Sequence, residues 1–273
     1  MVQSGAATPI TKRGRERLGA VLRRGGAWIT VEDATAALGV GRADAAKLLA
    51  RWQEQGWLRR VRRGLYTPVP LTSRKDEQVI EDPWTLVPKL FDPGYVGGAS
   101  AAHHWDLTEQ IFRTIFVYTA RPVRKSAQAI QGTPFVVKHL APTKIFGTRT
   151  LWRGRVKLQI SDPTRTIIDM MDDPRAGGGI NHAADCLTAY LARKDADPDL
   201  LVAYAERLVN GAIFKRLGFL VERAAGPSSL IEACAARLTQ GAVKLDPAQP
   251  SPRLLNRWRL WLPERWKPRR PHD

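Results

Sequence analysis

The chain has 273 residues, 44% of them hydrophobic, and carries 43 Lys and Arg against 26 Asp and Glu, a net charge of +17. At roughly 100–200 residues per domain this length predicts two domains, and the apolar fraction is ample for a core. No apolar run approaches the ~20 residues that span a bilayer, and residues 1–10 are small and polar without the apolar segment of a secretory leader, so the expected location is the cytoplasm.

After residues 1–10, expected to be disordered, a helix is predicted from Thr11 to about Arg24, with Leu18, Val21 and Leu22 on one face and Gly25-Gly26 at its end. Ala27-Trp28-Ile29 is β-prone. Thr30 is placed to cap a helix over Val31–Leu38, with Asp33 three residues on in a capping-box spacing. Gly39-Val40-Gly41 reads as a tight turn into a third helix from Arg42 to about Gln55, closed by Gly56. Two short strands follow, Trp57–Val61 and Leu65–Thr67, around the basic turn Arg62-Arg63-Gly64.

That order of elements is the plan of a winged helix-turn-helix over residues 11–75. In the third helix Ala45, Leu48, Leu49 and Trp52 recur at i, i+3, i+4 and i+7 and form the core face, leaving Asp44, Lys47, Arg51 and Glu54 outward. Charge concentrates here: residues 1–75 hold 15 Lys and Arg against 5 Asp and Glu. Such a local excess attracts a polyanion by releasing its counterions, and duplex DNA is the expected one. An anionic membrane is the rival, but it would take a basic helix with a bulky apolar face exposed. The expected DNA-contact set is Arg42, Asp44, Lys47 and Arg51 on the third helix, Arg59, Arg60, Arg62 and Arg63 on the wing, and Lys12 and Arg13 at the start of the first helix. Clustered arginines repel one another unless phosphate or a narrow minor groove lies against them.

Residues 71–91 read as a linker, with Asp82-Pro83 starting a helix that carries Trp84, Leu86, Val87 and Leu90. The remainder, residues 76–273, is expected to be one larger mixed α/β domain ending in a helical region, which gives an α+β chain overall. Gly97-Gly98 to Trp105 predicts a small-residue helix; Thr114–Tyr118, Phe135–His139 and Arg155–Ile160 predict strands. Asp162 caps and Pro163 opens a helix bearing Ile167, Ile168 and Met171, broken by Gly177–Gly179; further helices are expected at about 180–193, 198–210, 212–224 and 228–240. Residues 76–241 are near neutral, with 20 cations against 18 anions, and residues 242–273 are basic again. In that tail Leu254, Leu255, Trp258, Trp261 and Leu262 fit one amphipathic turn-and-a-half packed on the second domain, with stacking on single-stranded bases as the alternative.

Several chemistries lack their motifs. There is no G-x-x-x-x-G-K-[ST] phosphate loop, no H-E-x-x-H, no paired C-x-x-C, and no lysine two residues after an Asp or Glu as metal-dependent nucleases use. His103 and His104 adjoin Asp106 and Glu109, but adjacent helical histidines diverge by about 100° and chelate poorly. His139 and His182 stand alone, and Cys186 and Cys234 sit singly in apolar stretches as packing thiols. No metal, cofactor or catalytic group is expected.

Four segments, in order, resemble the AbiEi-type antitoxins, transcriptional regulators of type IV toxin–antitoxin operons. They are the wing ending Arg63-Gly64-Leu65-Tyr66; Gly98-Ala99-Ser100-Ala101-Ala102-His103-His104-Trp105-Asp106-Leu107-Thr108 with Phe116-Val117-Tyr118-Thr119; Ser161-Asp162-Pro163-Thr164-Arg165-Thr166-Ile167-Ile168-Asp169 with its following glycines; and Lys215-Arg216-Leu217-Gly218-Phe219-Leu220-Val221-Glu222. The resemblance implies a non-enzymatic protein that represses its own operon at repeated operator elements. It also implies a C-terminal domain that counteracts a nucleotidyltransferase-like toxin, by direct contact or indirectly. A nucleic-acid-processing enzyme targeted by the winged helix and a metabolite-sensing regulator remain the alternatives.

Overall fold

The structure is a computed structural model that describes residues 11–69 and 82–266. The disorder expected of residues 1–10, most of the linker reading, and the last residues of the tail therefore fall outside the described residues. The chain divides into two compact units, residues 1–89 with 129–132, and residues 90–128 with 133–273. The arrangement is mixed α+β: helices first, then sheets, then a helical region.

In the first unit α1 (Lys12–Gly25), α2 (Val31–Leu38) and α3 (Arg42–Glu54) pack with a three-stranded antiparallel sheet of β1 (Ile29–Thr30), β2 (Leu58–Arg62) and β3 (Leu65–Pro68), in the order β1-β3-β2. Leu18, Val21, Ile29, Ala34, Ala45, Leu49 and Trp52 make its core. Thr11 caps α1 through its hydroxyl. Both halves of the Thr30–Asp33 capping box form: the Thr30 hydroxyl accepts from the Asp33 N–H at 3.0 Å and the Asp33 carboxylate accepts from the Thr30 N–H at 2.9 Å. Gly56, expected as the cap of α3, lies one residue past it; Gln55 is the cap and Gly56 takes the left-handed φ of +80° that turns the chain into β2.

Asp82 caps a 3₁₀ turn, Pro83–Leu86, that continues into the short helix α4 (Val87–Phe91). A six-stranded sheet follows in the order β6-β7-β5-β4-β9-β8. Its strands are β4 (Gly94–Val96), β5 (Ile115–Thr119), β6 (Ala127–Ile130), β7 (Thr133–His139), β8 (Thr148–Arg153) and β9 (Val156–Ser161). β5 pairs in parallel with β7 and β4 with β9, while β4–β5 and β8–β9 are antiparallel. The small-residue helix α5 (Gly98–His104) packs against β5 and, more extensively, α6 (Pro163–Asp172). Gly98 is required where it stands: its φ is +56°, and a Cβ there would come within 2.4 Å of the Ala176 carbonyl oxygen.

α6 is capped by Asp162, whose carboxylate accepts from the Arg165 N–H at 2.7 Å. Arg165 and Asp169 on this helix form an ion pair at 2.8 Å with side chains 0% and 1% exposed. The Arg165 Nη2 donates to the Tyr95 hydroxyl at 2.7 Å, and that hydroxyl donates to Asp169 at 3.1 Å. Phe146 and Tyr95 lie over the guanidinium, 4.2 and 5.4 Å from their ring centres. Burial pushes the Asp169 carboxyl up to about 6, against the pull of Arg165.

Helices α7 (Ile180–Leu191), α8 (Pro198–Leu208), α9 (Gly211–Arg223) and α10 (Ser228–Ala235) complete the helical region. Cys186 and Cys234 are buried free thiols. The tail departs from the expected amphipathic turn. It forms a small sheet, β10 (Val243–Lys244), β12 (Leu260–Leu262) and β11 (Arg253–Leu255), with a 3₁₀ turn at Asn256–Trp258. Alternation, not helical spacing, sorts its side chains: Leu260 and Leu262 are buried and Trp261 between them is exposed. Trp258 is fully buried, its indole N–H donating to Glu222 at 2.6 Å.

Arg165→Met leaves Asp169 buried without a counter-charge and should cost about 3–5 kcal/mol in urea unfolding, with much of it regained in Arg165→Met/Asp169→Leu; a loss below about 1 kcal/mol would show that the pair does not pin this region. Gly218→Ala places a methyl 2.1 Å from the Trp258 ring and should cost about 1–3 kcal/mol in the same measurement through overpacking.

Candidate nucleic-acid interface

Helix α3 is fixed on one side by Ala45, Leu49 and Trp52, which are at most 2% exposed. At about 100° per residue, the centre of the opposite face falls on Ala43, Lys47, Ala50 and Glu54. Arg51 lies beside this line, and Arg42 and Asp44 lie on its two flanks. Arg42, Asp44, Lys47 and Arg51 are all exposed. The sequence reading passed over the alanines: Ala43 is exposed and Ala50 partly so, and residues this small let a helix come close to whatever faces it. The signal lay in the helical wheel, where the cations draw attention and the missing side chains do not.

α2 reaches α3 through three residues. Gly39 ends α2 in the left-handed region at φ +63°, its N–H donating to the Thr35 carbonyl. Glu32 of α2 forms an exposed ion pair with Arg42 at the start of α3. Glu32 is held below the usual carboxylate range by a hydrogen bond to its own backbone N–H, with Arg42 adding to the effect against a small burial penalty. An exposed pair of this kind contributes about 0–1 kcal/mol.

The β2–β3 hairpin turns at Arg63-Gly64, where Gly64 takes φ +81°. Arg59 pairs with Thr67 and Arg60 with Tyr66, but the next partner of Leu65 is Arg62, so Val61 is an extra residue in β2. A bulge of this kind sharpens the strand's twist. Arg60, Arg62 and Arg63 are exposed and Arg59 is half-buried. Tyr66 and Leu65, on the partner strand, are buried. The hairpin is thus anchored by its apolar residues and carries its guanidinium groups outward. Lys12 and Arg13 are exposed in the first turn of α1. So are Arg15, Arg23 and Arg24, which the sequence reading omitted although they lie away from Leu18 and Val21.

The structure therefore puts Arg42, Asp44, Lys47 and Arg51 on the exposed surface of one helix, and Arg59, Arg60, Arg62 and Arg63 together on one hairpin. This surface can hold phosphates by charge and by bidentate guanidinium hydrogen bonds. Among the described residues no group of three or more His, Cys, Asp or Glu converges as a metal site, and no helix is long and apolar enough to cross a membrane.

Residues 16–69 match the family described as transcriptional regulator, AbiEi antitoxin. The AbiEi match thus covers α1 from its second turn, α2, α3 and the hairpin. The fold of the whole chain is similar to the crystal structure of the RV2827C protein from Mycobacterium tuberculosis, with a TM-score of 0.65 and 18% identity over 96% of this chain and 95% of that one. No curated protein matches the chain.

Thr30→Ala removes one hydroxyl acceptor from the first turn of α2. It should lower the stability of the AbiEi-matching unit by about 1 kcal/mol, read as a shift of its urea midpoint, with Thr30→Ser restoring most of the loss.

Proposed function

We propose that this chain is a DNA-binding antitoxin that represses its own operon, with residues 11–75 acting as a winged helix-turn-helix. The observation that carries the reading is the coincidence of the AbiEi match with an exposed cationic helix and hairpin on an otherwise well-packed three-helix unit. In this reading α3 enters the major groove with its alanine-lined face inward. Lys47 and Arg51 reach base edges, and Arg42 exchanges Glu32 for a phosphate or a base. Arg60, Arg62 and Arg63 hold the flanking backbone or enter the minor groove, Arg59 supports them, Asp44 selects against bases that present acceptors, and Lys12 and Arg13 contact phosphate. Operator repeats would be met by repeated copies of the unit.

Residues 76–273 form the second domain in this proposal and counteract a nucleotidyltransferase-like toxin in the cytoplasm. The near-neutral charge of residues 76–241, 20 cations against 18 anions, supports a protein partner for this part more than a second polyanion. The chain acts by binding and not as an enzyme.

Binding to operator DNA should weaken steeply with salt. Each phosphate neutralised adds about 0.9 to the slope of log K against log salt, so Arg62→Ala/Arg63→Ala should flatten the slope by about 2 and weaken all sequences alike. Lys47→Ala or Arg51→Ala should cost about 1–3 kcal/mol on the operator and relax preference at one base pair. A flat salt titration, or wing variants that alter the preferred sequence, would overturn these assignments. For the second domain, the wing double variant, expressed in full length from an unrelated promoter, should still protect cells from the neighbouring toxin; loss of protection together with loss of operator binding would show that neutralisation runs through repression.

A further inference from the structure

The second unit carries a cavity of about 760 Å³ on one face of the six-stranded sheet, at the carboxyl ends of the parallel neighbours β5 and β7. This lies within the range of small-molecule sites, about 300–1,000 Å³, and the carboxyl ends of parallel strands are where such sheets receive ligands. Register explains its floor. Phe116 faces Val136 and Tyr118 faces Lys138 across the β5–β7 ladder, so these four project to the same side. Val123 and Arg124, in the loop that leaves β5, line one edge, and Asp173 and Arg175, just past α6, line the other.

The polar groups are unevenly committed. Lys138 is held between Asp172 at 2.5 Å and Asp173 at 3.8 Å, and Arg175 leans on Asp173 at 3.3 Å. Arg124 is exposed and has no ion pair among the described residues. Lys125 beside it is exposed too, and no acid lies between Arg121 and Ser126. At the floor, Tyr118 is 1% exposed and its hydroxyl has no hydrogen-bond partner. A buried hydroxyl without a partner is expensive to keep, and the ring that bears it is stacked on Tyr95 at 5.1 Å. Behind it Gly97 brings the backbone close: a Cβ there would lie 2.8 Å from the Tyr118 ring and 2.9 Å from the free oxygen of Asp169.

We infer that this cavity is a binding site for a small organic anion with a flat aromatic body, the ring lying over Phe116 and Val136 and the anionic end meeting Arg124, Lys138 and Arg175. Inorganic anions alone would leave the apolar floor uncovered, and an uncharged ring would leave Arg124 unused. The site is independent of the DNA-binding reading and uses none of its residues.

Calorimetric titration of the full-length protein tests the assignment with phenyl phosphate and AMP, each against its parts, inorganic phosphate and adenosine. At least one of the two aromatic phosphates should bind about tenfold or more tightly than either inorganic phosphate or adenosine. Arg124→Glu, an exposed change that leaves the core intact, should abolish the heat of binding. Arg62→Ala/Arg63→Ala should bind the same ligands unchanged. The inference is overturned if neither aromatic phosphate binds at millimolar concentration, if phosphate binds as well as they do, if Arg124→Glu has no effect, or if the wing variant loses the binding.

Discussion

Arg165 sits where the sheet, α6 and the segment at Phe146 that leads into β8 meet, and it is out of water. A guanidinium cannot be left there without partners, so its surroundings are constrained in detail: a carboxylate one helical turn along, a tyrosine hydroxyl from β4, and the rings of Phe146 and Tyr95. Breaking any of these strands a charge. The pair thereby fixes the depth and rotation of α6 against the sheet, and α7, α8 and α9 all pack on α6. Asp162, at the head of the same helix, accepts from the Tyr204 hydroxyl at 2.9 Å and so ties α8 to the cap. A stretch that reads as Ser-Asp-Pro-Thr-Arg-Thr is thus both a helix start and the point from which the second unit is assembled.

Much of this could be read without coordinates wherever one local rule decided the outcome. Thr30 with Asp33, and Asp162 with Pro163, each marked a helix start, because unsatisfied backbone N–H groups must be met within a turn. Strands β4, β6 and β8 were not legible. β4 is three residues long, and β8 is an edge strand of mixed exposure whose Thr, Arg and Trp residues show no alternation. β4 is a strand because it lies between β5 and β9, both distant in sequence, whereas β6 and β8 are edge strands completed by their neighbours β7 and β9. The tail differs for a related reason: Leu254, Leu255 and Trp258 can be placed on a helical face, yet Gly218 on α9 leaves a recess that the flat Trp258 ring fills from a 3₁₀ turn between two short strands.

In the candidate interface, charge was legible and spacing was not. The arginines at 59, 60, 62 and 63 announce themselves as a cluster. The ion pair between Glu32 and Arg42 joins residues ten apart, and the bulge at Val61 depends on how β2 is matched to β3. Similarly, nothing in the sequence sets Tyr118 apart from Tyr95, although one hydroxyl is fully engaged and the other is not. Where several segments converge, residue type constrains what can happen, and only geometry decides what does.

The burial of sulfur has its own consequence. Cys186 and Cys234 are 0% exposed, and burial pushes both thiols up to about 12, which disfavours the thiolate at neutral pH. Met170 and Met171 are also wholly enclosed. Peroxide, disulfides and alkylating agents therefore find no reactive sulfur on this helical region until it opens. The two cysteines act as clocks: the speed at which a thiol reagent modifies them measures how often α7 and α10 come away from the core, without any label being added to the protein.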